Sequence, residues 1–143
     1  MIHPIIEKVS DHIRENTDWV FRIRKQSDGS ILQIRVLGED GDNARLSLFC
    51  MNAEEEFLHL HLCVEKPFEA DQVEKLLPVL NDVNHERQYM KFVLDKSRRL
   101  TVLADFFWSE EFMQKHLCKM IMRCISVMDM VYEELQKEIG ADA

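Results

Sequence analysis

The run Phe57-Leu58-His59-Leu60-His61-Leu62-Cys63 holds the chain's densest set of metal-capable side chains. On a strand, side chains alternate, which puts His59, His61 and Cys63 on one face. Imidazoles and a thiolate are zinc-ligand types. Neighbours on such a face stand about 7 Å apart, too far for one tetrahedral ion without strain, and no fourth ligand is evident. Structural zinc usually brings close pairs such as CxxC, which are absent. The stronger reading is a sheet face bearing polar histidines. A metal- or small-ligand-binding domain using His59, His61 and Cys63 is the alternative.

Other chemistry finds less support. There is no GxSxG elbow, and no cysteine sits beside a histidine in a glycine-bearing loop. His116 and Cys118 lie two apart on a predicted helix and do not share a face. Four glycines form neither GxGxxG nor GxxxxGK[ST], so no phosphate loop is present. Asp40, Asp42 and Glu54 to Glu56 lack EF-hand spacing and read as solvated loop tips. No catalytic residue, metal or cofactor is assigned, and the chain reads as non-enzymatic. Asn81 and Asn84, one turn apart at the end of a helical pattern, read as amides that tie the helix end to the following strand.

The elements that position these residues follow from periodicity. Pro4 suits the first turn of a helix, and Ile2, Ile5, Ile6, Val9 and Ile13 make its apolar stripe up to Asn16 and Thr17. Alternation then predicts four consecutive antiparallel strands. Trp19 to Arg24 and Leu32 to Val36 form a hairpin about the turn Ser27-Asp28-Gly29-Ser30. Ala44 to Met51 and Phe57 to Val64 follow. Val73, Leu76, Leu77, Leu80 and Val83 mark a second helix to about Glu86, with a kink at Pro78 or a start nearer Lys75. A second hairpin spans Tyr89–Leu94 and Arg99–Phe106 about the turn Asp95-Lys96-Ser97-Arg98. Ser109 caps a last helix, and Glu110 and Glu111 sit at its positive end. The fold class is α+β: an antiparallel sheet of two hairpin or meander blocks with three helices, in the order α-β-β-β-β-α-β-β-α. One domain covers residues 1–139, and 140–143 form a flexible tail.

The last helix is apolar over most of its circumference. Phe112, Met113, Leu117, Met120, Ile121, Cys124, Ile125, Met128, Val131 and Leu135 make its stripe, and Met122, Val127 and Met130 widen it. Such a helix needs cover on more than one side, and methionine adapts to variable partners. A helix to Lys137 would be about 42 Å long and would overhang its sheet. A fully buried core helix is one reading; the length favours the other, association through Met113, Leu117, Met120, Cys124, Met128 and Val131. Asp at Met120 or Met128 is then expected to give a folded monomer.

Net charge is −8. That disfavours nucleic acid and anionic membranes. The basic groups Arg22, Arg24, Lys25 and Lys96, Arg98, Arg99 read as solvated residues beside hairpin turns. No apolar run is long enough to cross a membrane, and the N-terminus lacks signal-peptide pattern. Cys50, Cys63, Cys118 and Cys124 read as reduced thiols in a cytoplasmic protein.

The stretch LPVLNDVNHERQYMKFVLD, then a turn, then LTVLADFFWSEEFMQKHLCKMI resembles the YbjN-like family of small bacterial proteins. Its members are described as sensory transduction regulators, with a fold similar to type III secretion chaperones. The matching residues are Leu80, Asn81, Asn84, Lys91, Phe92, Asp95, Phe112 and Leu117, and the likeness covers about residues 70–130. The resemblance implies a homodimer that holds client segments or regulates other proteins, with no catalytic residues to carry over. The separate strand Phe57 to Val64 departs from the three-strand block of the secretion-chaperone pattern.

Overall fold

The computed structural model describes residues 2–26, 29–37, 43–50, 56–87 and 89–140. Helix α1 (Pro4–Asn16) precedes strands β1 (Phe21–Gln26), β2 (Gly29–Leu37), β3 (Asn43–Cys50) and β4 (Phe57–Val64). A 3₁₀ turn (Ala70–Gln72) leads into α2 (Val73–Glu86), followed by β5 (Lys91–Leu94) and β6 (Leu100–Phe107). α3 (Glu110–Phe112), a π-helical turn (Met113–Leu117) and α4 (Cys118–Gly140) run on as one C-terminal helix. The α+β class and the element order are those the periodicity predicts.

The two strand blocks join into one antiparallel sheet of order β1-β2-β3-β4-β6-β5. β6 slots beside β4, so the link through α2 carries the chain past it to β5 at the far edge. Gly29, expected in the first turn, opens β2 instead; residues 27 and 28, and Met51, lie outside the described residues.

Register gives the sheet two unlike faces. Leu32, Ile34, Leu46, Leu48, Leu58, Leu60, Leu62, Leu100 and Val102 are buried on one side, in a single cluster with the helices. Each such side chain contributes about 1.5–3 kcal/mol by leaving water. A one-residue slip of β4 would put Leu58, Leu60 and Leu62 into solvent together, which fixes the register. The alternate residues, among them Gln33, Ser47, Phe49, His59, His61, Leu103 and Asp105, are half-buried or exposed. No described helix packs on that open face.

Local chemistry sets the helix ends. His3 caps α1, its Nδ1 accepting from the Ile5 N–H at 3.1 Å, with Pro4 in the first turn as expected. Ser109 caps the C-terminal helix by accepting from the Phe112 N–H at 3.0 Å. α2 runs from Val73 without the delayed start that Pro78 suggested. Glu74, whose carbonyl loses its partner to the proline, is exposed and water can take the bond. Gly140, expected in a loose tail, belongs to α4; residues 141–143 lie outside the described residues.

The β5–β6 turn is organised by Asp95. Its Oδ1 accepts from the Ser97 N–H at 2.8 Å and the Arg99 N–H at 2.9 Å. That holds Arg98 at φ 65°, a left-handed conformation that few side chains adopt. Arg98 Nε donates to the Phe68 carbonyl and Arg99 Nε to the Glu65 carbonyl, which pins the β4–α2 link against the turn. Asp95→Ala removes both turn bonds. A loss of about 1–2 kcal/mol is expected, lowering the melting temperature by roughly 2–6 °C in a circular dichroism melt.

Candidate functional site

The metal-capable strand face forms, but its residues do not converge. His59 Nδ1 lies 2.6 Å from Asp105 Oδ1, its direct cross-strand neighbour. The Phe49 ring packs on both histidines, at centroid distances of 5.2 Å to His59 and 4.7 Å to His61. Partial loss of water lowers the His61 pKa, opposed by Asp105 and reinforced by His59. Burial pushes the Cys63 thiol up, with a Thr101 hydrogen bond acting the other way. Among the described residues, no group of three or more His, Cys, Asp or Glu side chains is placed to hold a metal ion.

Around His61 and Cys63 the open face dips into a shallow concavity of about 460 Å³, with Arg45, Glu65, Asp95, Arg99 and Thr101 on its walls. At one end of β4 the exposed rings of Phe57 and Phe107 meet edge to face at 5.2 Å. Nothing here is primed as a nucleophile. Burial also raises the Cys118 thiol and takes Cys124 to about 11, so both stay protonated near neutral pH.

The interface assigned from the C-terminal stripe needs correction. Met113 is 8% exposed, Leu117 and Cys124 0%, Met128 2% and Val131 1%; only Met120 reaches the surface, half-buried. The helix is covered on several sides by its own subunit. α1 contacts the π turn, α2 and β6 contact α4, and the Phe68 ring meets Tyr132 at 5.7 Å. A stripe this wide therefore fills the core. The apolar side chains α4 does leave exposed are Met122 and Met130.

The two edges of the sheet differ, and periodicity gave no sign of it. At the β5 edge, Asn84 of α2 donates from Nδ2 to the Phe92 carbonyl at 2.8 Å and accepts the Phe92 N–H on Oδ1 at 2.6 Å. One side-chain amide thus closes the middle of that strand, the tie the sequence suggested for this asparagine; Asn81 stays exposed. At the other edge, β1 pairs with β2 alone. Among the described residues no second strand pairs with its outer side. An edge of this kind presents unpaired N–H and C=O groups that can accept another strand.

Comparison with known families adds the decisive observation. The profile of TY-Chap1, the T3SS (YopN, CesT) and YbjN peptide-binding chaperone family 1, matches residues 50–142. The chain belongs to this family. The family description names a peptide-binding chaperone and no enzyme class. The match covers β4 to the C-terminal helix, including Asn84 and Asp95, and leaves β1, β2 and almost all of β3 outside. No curated protein matches the chain. No described helix is long and apolar enough to cross a membrane.

Proposed function

We propose that the chain is a non-enzymatic protein-binding module, chaperone-like or regulatory, that holds an extended segment of another protein as an added strand along β1. One observation carries the reading: Asn84 closes the β5 edge, whereas β1 is bare among the described residues. An added strand draws affinity from main-chain hydrogen bonds and specificity from side chains that alternate between two faces. The open face beside β1 continues the contact through Ile31 and Phe49, both half-buried. The peptide-binding description of the family supports this use.

A homodimer belongs to the same proposal, with Met122 and Met130 as apolar contacts in place of the buried stripe. So does a cytoplasmic location, where Cys50, Cys63, Cys118 and Cys124 stay reduced. Peptides selected from a random library are expected to slow amide hydrogen exchange across Phe21–Gln26 and leave Lys91–Leu94 unchanged. Binders that instead protect the α2 and α4 surface would overturn the edge assignment.

A further inference from the structure

The side chains of β1 divide by face. Phe21 and Ile23 lie on the helix side, half-buried, while Arg22 and Arg24 lie exposed on the open face. Among the described residues, neither arginine makes an ion pair or a side-chain hydrogen bond. Arg45 on β3 is loosely held, its Nη2 3.8 Å from Glu65 Oε1. A hollow of about 300 Å³ at the start of β1 combines both kinds of wall: Val20, Phe21 and Ile34 are apolar, and Arg22 and Arg45 are cationic. Val20 is 85% exposed at its rim. A chain of net charge −8 therefore carries, on its uncovered edge, a strand with three basic residues and no acidic one.

We infer that the segment received at β1 alternates acidic and apolar residues. Its carboxylates lie against Arg22 and Arg24, and its apolar side chains lie against Phe21 and Ile23. The inference rests on β1 being the receiving edge. Guanidinium groups pair with carboxylates through short, often bidentate hydrogen bonds, and unpaired arginines on a strand face favour that chemistry over a neutral one. The period of two then places apolar residues on the segment's other side. At physiological salt, charge is screened beyond about 8 Å, so these nearby arginines outweigh the distant net charge. A second copy of the chain fits poorly. Pairing β1 with β1 would set the arginines of both copies opposite one another on one face, and like charges directly across a ladder are destabilising.

Three short synthetic peptides test this: valine alternating with glutamate, with glutamine or with lysine, each titrated into the full chain while exchange is followed at β1. The glutamate peptide is expected to bind roughly tenfold tighter than the glutamine peptide, with the lysine peptide weakest and the gap narrowing as salt is added. The double variant Arg22→Glu, Arg24→Glu changes exposed positions only and is expected to melt normally. In it the order should invert, the lysine peptide binding best. Equal binding of all three peptides, with β1 amides protected in each case, overturns the acidic preference and leaves the edge assignment standing. If no peptide slows exchange at β1, both fall.

Discussion

Met128→Asp is expected to leave the chain without a cooperative fold at 25 °C, whereas Met122→Asp and Met130→Asp stay folded. Met128 is 2% exposed within a continuous apolar cluster, and Met122 and Met130 are 53% and 50% exposed on the same helix. An aspartate at the buried position must either ionise in an apolar setting or stay protonated without a partner. Both cost several kcal/mol, on top of the packing lost with the methionine. A domain of this size has a net stability of about 5–15 kcal/mol, so the loss consumes much of it. At the exposed positions, water solvates the carboxylate and stability moves by about 0.5 kcal/mol. Circular dichroism melts read the folding, and sedimentation reads the mass. If Met122 and Met130 join two copies, their Asp variants sediment as folded single subunits while the parent chain does not. A folded, monomeric Met128→Asp would instead restore the buried stripe to the role of an interface.

Those three methionines show where sequence reading stops. Spacing identifies the C-terminal helix and the width of its apolar stripe, but core and interface produce the same stripe. What separates them is how many neighbours the domain supplies. α1, α2 and β6 come from segments far apart in the chain, and no local pattern places them around one helix. The π turn at Met113–Leu117 is also silent in the sequence, although it faces Met113 and Leu117 inward. Strand alternation, by contrast, separates the residues of the two faces correctly, because a half-buried strand must alternate. That is why His59, His61 and Cys63 share a face as expected. Their failure to converge on an ion is equally local, since the pleat holds neighbours on one face about 7 Å apart. The edges required the strand order. β4 pairs with β6 across the whole of α2, and only then do β1 and β5 become the outer strands.

Asn84→Ala should cost about 2–4 kcal/mol and make the protein prone to associate on heating. Asn81→Ala, one turn earlier, should cost less than about 0.5 kcal/mol. Both asparagines sit near the end of α2, yet only Asn84 bonds to a strand, using donor and acceptor on the two backbone groups of Phe92. Phe92 itself is 1% exposed. Truncation leaves its N–H and C=O without their partner, at about 1–3 kcal/mol for each group that water cannot reach. The melting temperature should fall by roughly 4–12 °C. The second consequence follows from the first. With the amide gone, β5 becomes a second bare edge, and unpaired strand edges join between chains. Light scattering during a slow temperature ramp should therefore rise earlier in Asn84→Ala than its lowered stability alone explains. A destabilised variant of matched melting temperature, such as Asp95→Ala combined with a mild core truncation, supplies that reference. Equal scattering in the two would mean that Asn84 acts only as a structural tie. Earlier scattering in Asn84→Ala would mean that it also keeps β5 from pairing, as the proposal of β1 as the receiving edge requires.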